Sequence, residues 1–180
     1  MTRAVLSIGS NLGDRLAHLR TVVAALGERV LAVSPVYTTA PWGGVDQDDF
    51  LNAVVLAEDP AFDDYAWLRF GQELEQAAGR VREVRWGART LDVDVIACAD
   101  ESGADIVRAG DPTLILPHPQ ARHRAFVLVP WLAVEPSARL WVDGAEVPIA
   151  ELLAGLEPAE RAGVARTDLR LLDDESVDRC

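Results

Sequence analysis

Apolar residues recur along this chain in two rhythms, and the rhythm changes every ten to fifteen positions. RAVLSIGS (3–10) is almost continuously apolar and short, which predicts a first, well-buried strand. In DRLAHLRTVVAALGE the apolar residues Leu16, Leu19, Val22, Val23 and Leu26 fall three and four apart, the spacing of one helix face, with Asp14 placed as its N-cap. RVLAVSPVYTT (29–39) is rich in β-branched residues and predicts a second strand. A polar loop, Ala40 to Asp49, leads into FLNAVVLAE, a third strand. DDYAWLRFGQELEQAAG predicts a second helix, opened by acids that suit its dipole and closed by Gly79. An arginine-rich loop and the strand LDVDVIA (91–97) follow.

The order is β-α-β-β-α-β, the split pattern of a ferredoxin-like α+β sandwich with an antiparallel central sheet. C-terminal additions come next. TLILPHP predicts a proline-bounded crossing, HRAFVLVPWLAVEP a short apolar helix, LWVDGAEV a small hairpin and IAELLAGL another short helix. One domain is expected over residues 1–156, with a charged tail, partly mobile, over 157–180.

Composition narrows the function. With 180 residues and 49% hydrophobic content the chain can bury a real core. It has no 18-residue apolar run, and the apolar stretch near the N-terminus is too short for a signal peptide, so a cytoplasmic protein is expected. Cys98 and Cys180 lie too far apart in sequence to suggest a metal pair, and a buried thiol plus a terminal one is the simpler reading. A net charge of −12 argues against nucleic-acid partners and anionic membranes. All 17 basic residues are arginine, which excludes a P-loop and Schiff-base chemistry, since both need lysine.

The distribution of charge carries more than its sum. Residues 44–64 hold seven acids and no base, whereas residues 79–91 hold Arg80, Arg82, Arg85 and Arg89 against the single acid Glu83. Just beyond them come Asp92 and Asp94. Residues two apart share a strand face roughly 6.5–7 Å apart. At an effective dielectric of about 20 two carboxylates there repel by roughly 2–3 kcal/mol. An edge strand with one wet face would accommodate such a pair equally well in isolation. The apolar flanks and the arginines shift the balance toward a divalent cation held between the carboxylates and phosphate oxygens, with arginines binding the same polyphosphate.

Gln72 and Glu75, three apart on the second helix, share a face one turn from the arginines. LPHPQARHRAF gathers His118, Arg122, His123 and Arg124, of which His118 and Arg124 suit phosphate contacts. GSNLGDR is read as a tight turn and helix cap. Trp42, Phe50, Trp86 and Phe126 lie in or beside the loops, where a flat heteroaromatic substrate would find stacking faces and Asn52 an amide to read its edge.

Four collinear stretches, IGSNLGDR, VYTTAPWG with DFLNAV, QELEQAAGRVR running into RWGARTLDVDVI, and LPHPQARHRAFVLVP, resemble the 6-hydroxymethyl-7,8-dihydropterin pyrophosphokinases of folate synthesis over about residues 1–155. The resemblance implies transfer of pyrophosphate from ATP to the pterin hydroxymethyl group, releasing AMP. It implies that Asp92 and Asp94 hold two Mg²⁺ ions and that Arg80 and Arg89 serve catalysis beside them. Gln72, Glu75, Arg82, Arg85, Val95, His118 and Arg124 would line the ATP site. Thr39, Pro41, Trp42, Gly43, Phe50, Asn52, Trp86 and Phe126 would form the pterin site, with Phe50 and Phe126 sandwiching the ring. The loops around Gly9–Gly13, Ala40–Asp49 and Arg80–Ala88 would move as it fills.

The chain departs from the pattern at Ala40 and Ala88, where proline is common, at Phe50, where tyrosine is also found, and at Pro119, where an aromatic can occur. The arginine loop is one residue short. The expected partners are small molecules, ATP and a reduced pterin, with no nucleic acid and no membrane; a monomer is expected and a homodimer left open. Two rivals stand beside this reading. An ordinary ATP:alcohol kinase would use the same site and release ADP. A regulatory or RNA-binding module of the same fold would want basic charge and aromatics on its central strands.

Overall fold

The computed structural model describes residues 2–40, 48–79 and 90–173. Its sheet has the order β5-β1-β4-β3-β8, with β2 also paired to β4, every pairing being antiparallel; all but β8 fall on the predicted strand stretches. These strands are β1 (Thr2–Ser10), β2 (Val30–Val33), β3 (Tyr37–Thr39), β4 (Phe50–Asp59), β5 (Asp92–Asp100) and β8 (Val164–Arg166). Helices α1 (Arg15–Leu26) and α2 (Asp64–Ala77) cover one face. This is the expected ferredoxin-like α+β arrangement.

Both helix starts are fixed by side chains. Asp14 accepts the Ala17 N–H at 3.0 Å and Asp63 accepts that of Ala66 at 2.7 Å, satisfying first-turn amides that have no intrahelical partner. Leu19, Val22, Val23 and Leu26 of α1 and Trp67 of α2 pack on Ala4, Leu6, Ile8, Val55, Val93 and Val95. The opposite sheet face is covered as well. Val5, Val54, Leu56 and Ile96 meet Leu128 and Trp131 of α3 (Ala125–Val134), Leu140 of the hairpin β6 (Arg139–Val142) and β7 (Ala145–Pro148), and Ile149 of α4 (Ile149–Ala154). Burial on both faces is why β1 and β4 read as continuous apolar runs. The hairpin turns at Asp143 and Gly144, both with positive φ, the backbone that a tight two-residue turn requires.

Three features differ from the sequence reading. The single strand expected over 29–39 is two, broken at Ser34-Pro35-Val36. Pro35 has no N–H for the ladder, while Ser34 keeps its place by donating its N–H to the Val54 carbonyl and accepting the Val54 N–H on its hydroxyl. Second, β5 carries a bulge. Val5 faces Ala97 but Leu6 faces Val95, so Ile96 is an extra residue. Third, residues 158–173, read as the start of the charged tail, supply α5 (Pro158–Ala162) and β8, and β8 extends the main sheet beside β3. The 104–118 crossing runs along the outer edge of β5, with Ile106 and His118 donating their N–H groups to the Cys98 and Ile96 carbonyls at 2.8 Å each; this covers an otherwise open strand edge.

Candidate active site

The bulge at Ile96 decides where the aspartates point. Downstream of it Ala97 faces the α3 layer, and strict alternation from there would turn Asp92 and Asp94 under α1 and α2. The extra residue reverses the phase, so Val93 and Val95 enter the α1–α2 core while Asp92 and Asp94 face the α3 side. Both are half-buried, Asp94 with a third of its side chain exposed. The register then lines up Asp92, Gly9, Asn52 and Tyr37 across four adjacent strands. Asp92 and Asn52 are two strand spacings apart, about 10 Å, with only Gly9 between them. A Cβ on Gly9 would lie 2.7 Å from Asn52 Oδ1, so glycine keeps the floor open there.

Asn52 is buried and donates from Nδ2 to Thr39 Oγ1 at 2.6 Å. That bond orients the amide, and Phe50, two residues earlier on the same face of β4, forms the adjoining wall. On the far side of the aspartates, Arg124 approaches Asp94 Oδ2 at 4.0 Å and lies over the Phe126 ring, 5.6 Å from its centroid. His118 anchors through its backbone to Ile96, beside the bulge, and its Nδ1 accepts the Gln120 N–H at 3.2 Å. The proton of the neutral ring is thereby assigned to Nε2, which is left as the donor. Burial and the neighbouring Arg124 charge hold this imidazole below its ordinary pKa, against an opposing pull from Asp92.

The structure thus brings together Asp92, Asp94, Thr39, Phe50, Asn52, His118, Arg124 and Phe126 on one face and one end of the sheet. Gln72 is exposed on α2, whereas Glu75 is buried and its carboxylate accepts the Val93 N–H at 2.9 Å, between the two aspartates. Gly71 allows that approach, since a Cβ there would meet the Val93 side chain at 3.0 Å. Val95 is a core side chain and can offer only its backbone. Arg122 pairs with Asp143 at 2.8 Å on the hairpin. Arg80, Arg82, Arg85, Trp86 and Arg89, together with Pro41, Trp42 and Gly43, lie outside the described residues.

Two groups went unread in the sequence. Gly9 was read at the end of the first strand and the start of a turn, with no role in the site; its signal is a glycine inside a strand run, which marks close approach. Asn11 Nδ2 and Arg15 donate to the Asp48 and Asp49 carbonyls at 3.3 and 2.7 Å, tying the β1–α1 turn to the chain entering β4; neither has a sequence signature.

The donor set suits a hard cation. Among the described residues no three carboxylate, imidazole or thiol groups converge, so a closed all-protein metal cage of the zinc type is absent from them. Two half-exposed carboxylates on one strand face match magnesium, which keeps waters and takes phosphate oxygens besides one or two carboxylates.

Residues 5–136 match the family model for 7,8-dihydro-6-hydroxymethylpterin-pyrophosphokinase (HPPK). A Mycobacterium leprae protein named 2-amino-4-hydroxy-6-hydroxymethyldihydropteridine pyrophosphokinase is 59% identical over 175 residues, covering 95% of this chain and 92% of its own. A Mycobacterium bovis protein of the same name is 56% identical over 167 residues, covering 91% and 89%. Among solved structures, a Plasmodium falciparum HPPK-DHPS with pterin and p-hydrobenzoate has a TM-score of 0.60 at 14% identity, a likeness of fold. It covers 92% of this chain, which spans 47% of that longer one.

Proposed function

The chain belongs to the 7,8-dihydro-6-hydroxymethylpterin-pyrophosphokinase family and is a pyrophosphokinase of folate biosynthesis; from that premise we propose that it uses Mg²⁺ to transfer pyrophosphate from ATP to the hydroxymethyl group of 6-hydroxymethyl-7,8-dihydropterin, releasing AMP. The observation that carries the reading is the row Asp92–Gly9–Asn52. It sets a carboxylate pair and an oriented amide about 10 Å apart, with aromatic walls at Phe50 and Phe126 and a glycine on the strand between.

In this proposal Asp92 and Asp94 hold two magnesium ions. Bound magnesium supplies neutralisation of the triphosphate charge and polarises the transferring phosphoryl group. Arg124 and the Nε2–H of His118 orient the phosphate chain from the other side, and Arg80, Arg82, Arg85 and Arg89 add positive charge to it. Gln72, Glu75 and the Val95 backbone flank the nucleoside. Thr39 fixes the Asn52 amide so that it reads the polar edge of the pterin. The segment Pro41–Gly43 frames that edge, and Trp86 closes over the ring. Holding the hydroxymethyl oxygen in line with the phosphoryl group then contributes much of the rate, with Asp94 or a water beside it taking the hydroxyl proton.

The test is to incubate the protein with ATP, Mg²⁺ and 6-hydroxymethyl-7,8-dihydropterin and identify the nucleotide formed. AMP appearing in step with a pterin diphosphate is the expected outcome. ADP would mean a simple phosphoryl kinase, and ATP bound without turnover a regulatory protein; either refutes the proposal.

A further inference from the structure

We propose that the segment after α4 positions the pterin end of the site, with Glu160 as its key positioning residue; the inference rests on the pyrophosphokinase reading of that site. Two of the walls are carried by elements held in part from this segment, the first turn of α3 and the outer edge of β3. α3 starts at Ala125, and its cap residue Arg124 makes no side-chain bond to the first turn, although first-turn amides need partners from outside the helix. The partner comes from 35 residues away. Glu160, in α5, accepts the Ala125 N–H at 3.2 Å. Ala125 lies between Arg124, which faces Asp94, and Phe126. Fixing its peptide fixes the directions of both side chains, and the carboxylate suits the positive end of the helix dipole.

The opposite wall is β3, only three residues long, whose last residue Thr39 orients Asn52. Its outer edge is held by β8, which pairs Thr39 with Val164, Thr38 with Ala165 and Tyr37 with Arg166. Thr167 extends the hold by donating both its N–H and its hydroxyl to the Val36 carbonyl, at 2.9 and 2.8 Å. Arg20 of α1 then donates twice to the Arg170 carbonyl, at 3.1 and 2.9 Å, and Leu171 enters the α1–α2 core. One stretch of chain therefore ties together the two walls between which a flat substrate would sit. It lies beyond residue 136, where the family match ends, and meets the site at the outer edge of β3 and the start of α3.

The experiment compares Glu160→Ala with Glu160→Gln, which keeps an acceptor oxygen. Three quantities are read: amide exchange over 125–127, the pterin dissociation constant by pterin fluorescence, and KM and kcat with each substrate. In Glu160→Ala we expect faster exchange and pterin binding weakened about five- to tenfold, the equivalent of losing one helix cap. Because Arg124 is released together with Phe126, the ATP KM should rise as well, by less than the pterin dissociation constant, and Glu160→Gln should restore exchange and binding. Unchanged pterin binding in Glu160→Ala, or a Gln variant as impaired as Ala, overturns the proposal. Should Glu160→Ala not fold, Thr167→Val takes its place, removing the hydroxyl's bond to the Val36 carbonyl and the one it accepts from the Leu169 N–H; pterin binding must weaken there too, and if it does not the proposal fails. Exchange and binding need no turnover, so an unmodified protein that makes no AMP refutes the pyrophosphokinase reading separately.

Discussion

Asp92 and Asp94 are bonded into the structure by their strand and steered by a bulge, so their removal leaves the pterin walls in place. Asp92→Ala and Asp94→Ala should each cut turnover at least about a hundredfold, the scale of losing a charge-stabilising group at a reacting centre, while changing pterin affinity little. Comparable losses in both quantities would refute that division of labour. His118 yields a second expectation at this scale. Its imidazole is held below the ordinary histidine pKa by burial first and Arg124 second. The unfolded chain, titrating near 6.5, therefore binds that proton more readily than the native state. Stability attributable to His118 is full above that value and is lost as pH falls through it toward the depressed native pKa. His118→Asn keeps an acceptor for the Gln120 N–H and should flatten the fall in melting temperature between about pH 7 and pH 5. Equal slopes in the two proteins would sink the idea.

At the scale of elements, the distance between α2 and β5 sets the pose of the carboxylates. Gly71 lets Val93 come close, and Glu75 accepts the N–H of the same residue. Gly71→Ala places a methyl against the Val93 side chain at 3.0 Å and its carbonyl oxygen at 3.3 Å. It should cost about 1–3 kcal/mol by overpacking, measured by denaturant unfolding, and lower kcat as well, because Val93 lies between the aspartates; an unaltered kcat would show that β5 does not transmit the shift. Elements were also where the sequence was most legible. Periodicity placed β1, α1, β4, α2 and α3, and Asp14 and Asp63 marked two helix starts, because these signals are local. The break at Pro35 was hidden by β-branched neighbours on both sides. The bulge was hidden because Ile96 and Ala97 are both apolar, so an extra residue leaves the run unchanged. The pair Asp92/Asp94 was legible as a pair, but its direction was not, since phase depends on the partner strand. The bond from the Val93 amide to Glu75 was not legible, because nothing local reveals that this carboxylate faces a strand.

Over the whole molecule, the sheet is buried on both sides, and its far end carries a cluster of ion pairs and aromatic contacts. Arg108 bonds the buried Asp64 at the start of α2 and lies 4.6 Å over Tyr65, whose hydroxyl bonds Asp111. Cys98 lies in the α1–α2 core beside this cluster, and burial above all pushes its thiol up to about 12. As only the thiolate reacts, peptide mapping after alkylation at pH 8 should find Cys98 unmodified in the native protein and labelled once denatured, at a rate set by global opening. Rapid native labelling would mean that this end of the core opens on its own. The sheet was foreseeable; its outermost strand was not, because Val-Ala-Arg is too short and too polar in its surroundings to announce β8. Its position has a consequence for how the molecule is made. β3 has β4 on one side, and its other side waits for Val164–Arg166. Synthesis runs from the N-terminus, so β3 spends the making of some 120 residues with that flank bare, a template for any passing strand. A message cut short before Val164 would leave it bare for good, and the product would be lost to self-association while still carrying both aspartates.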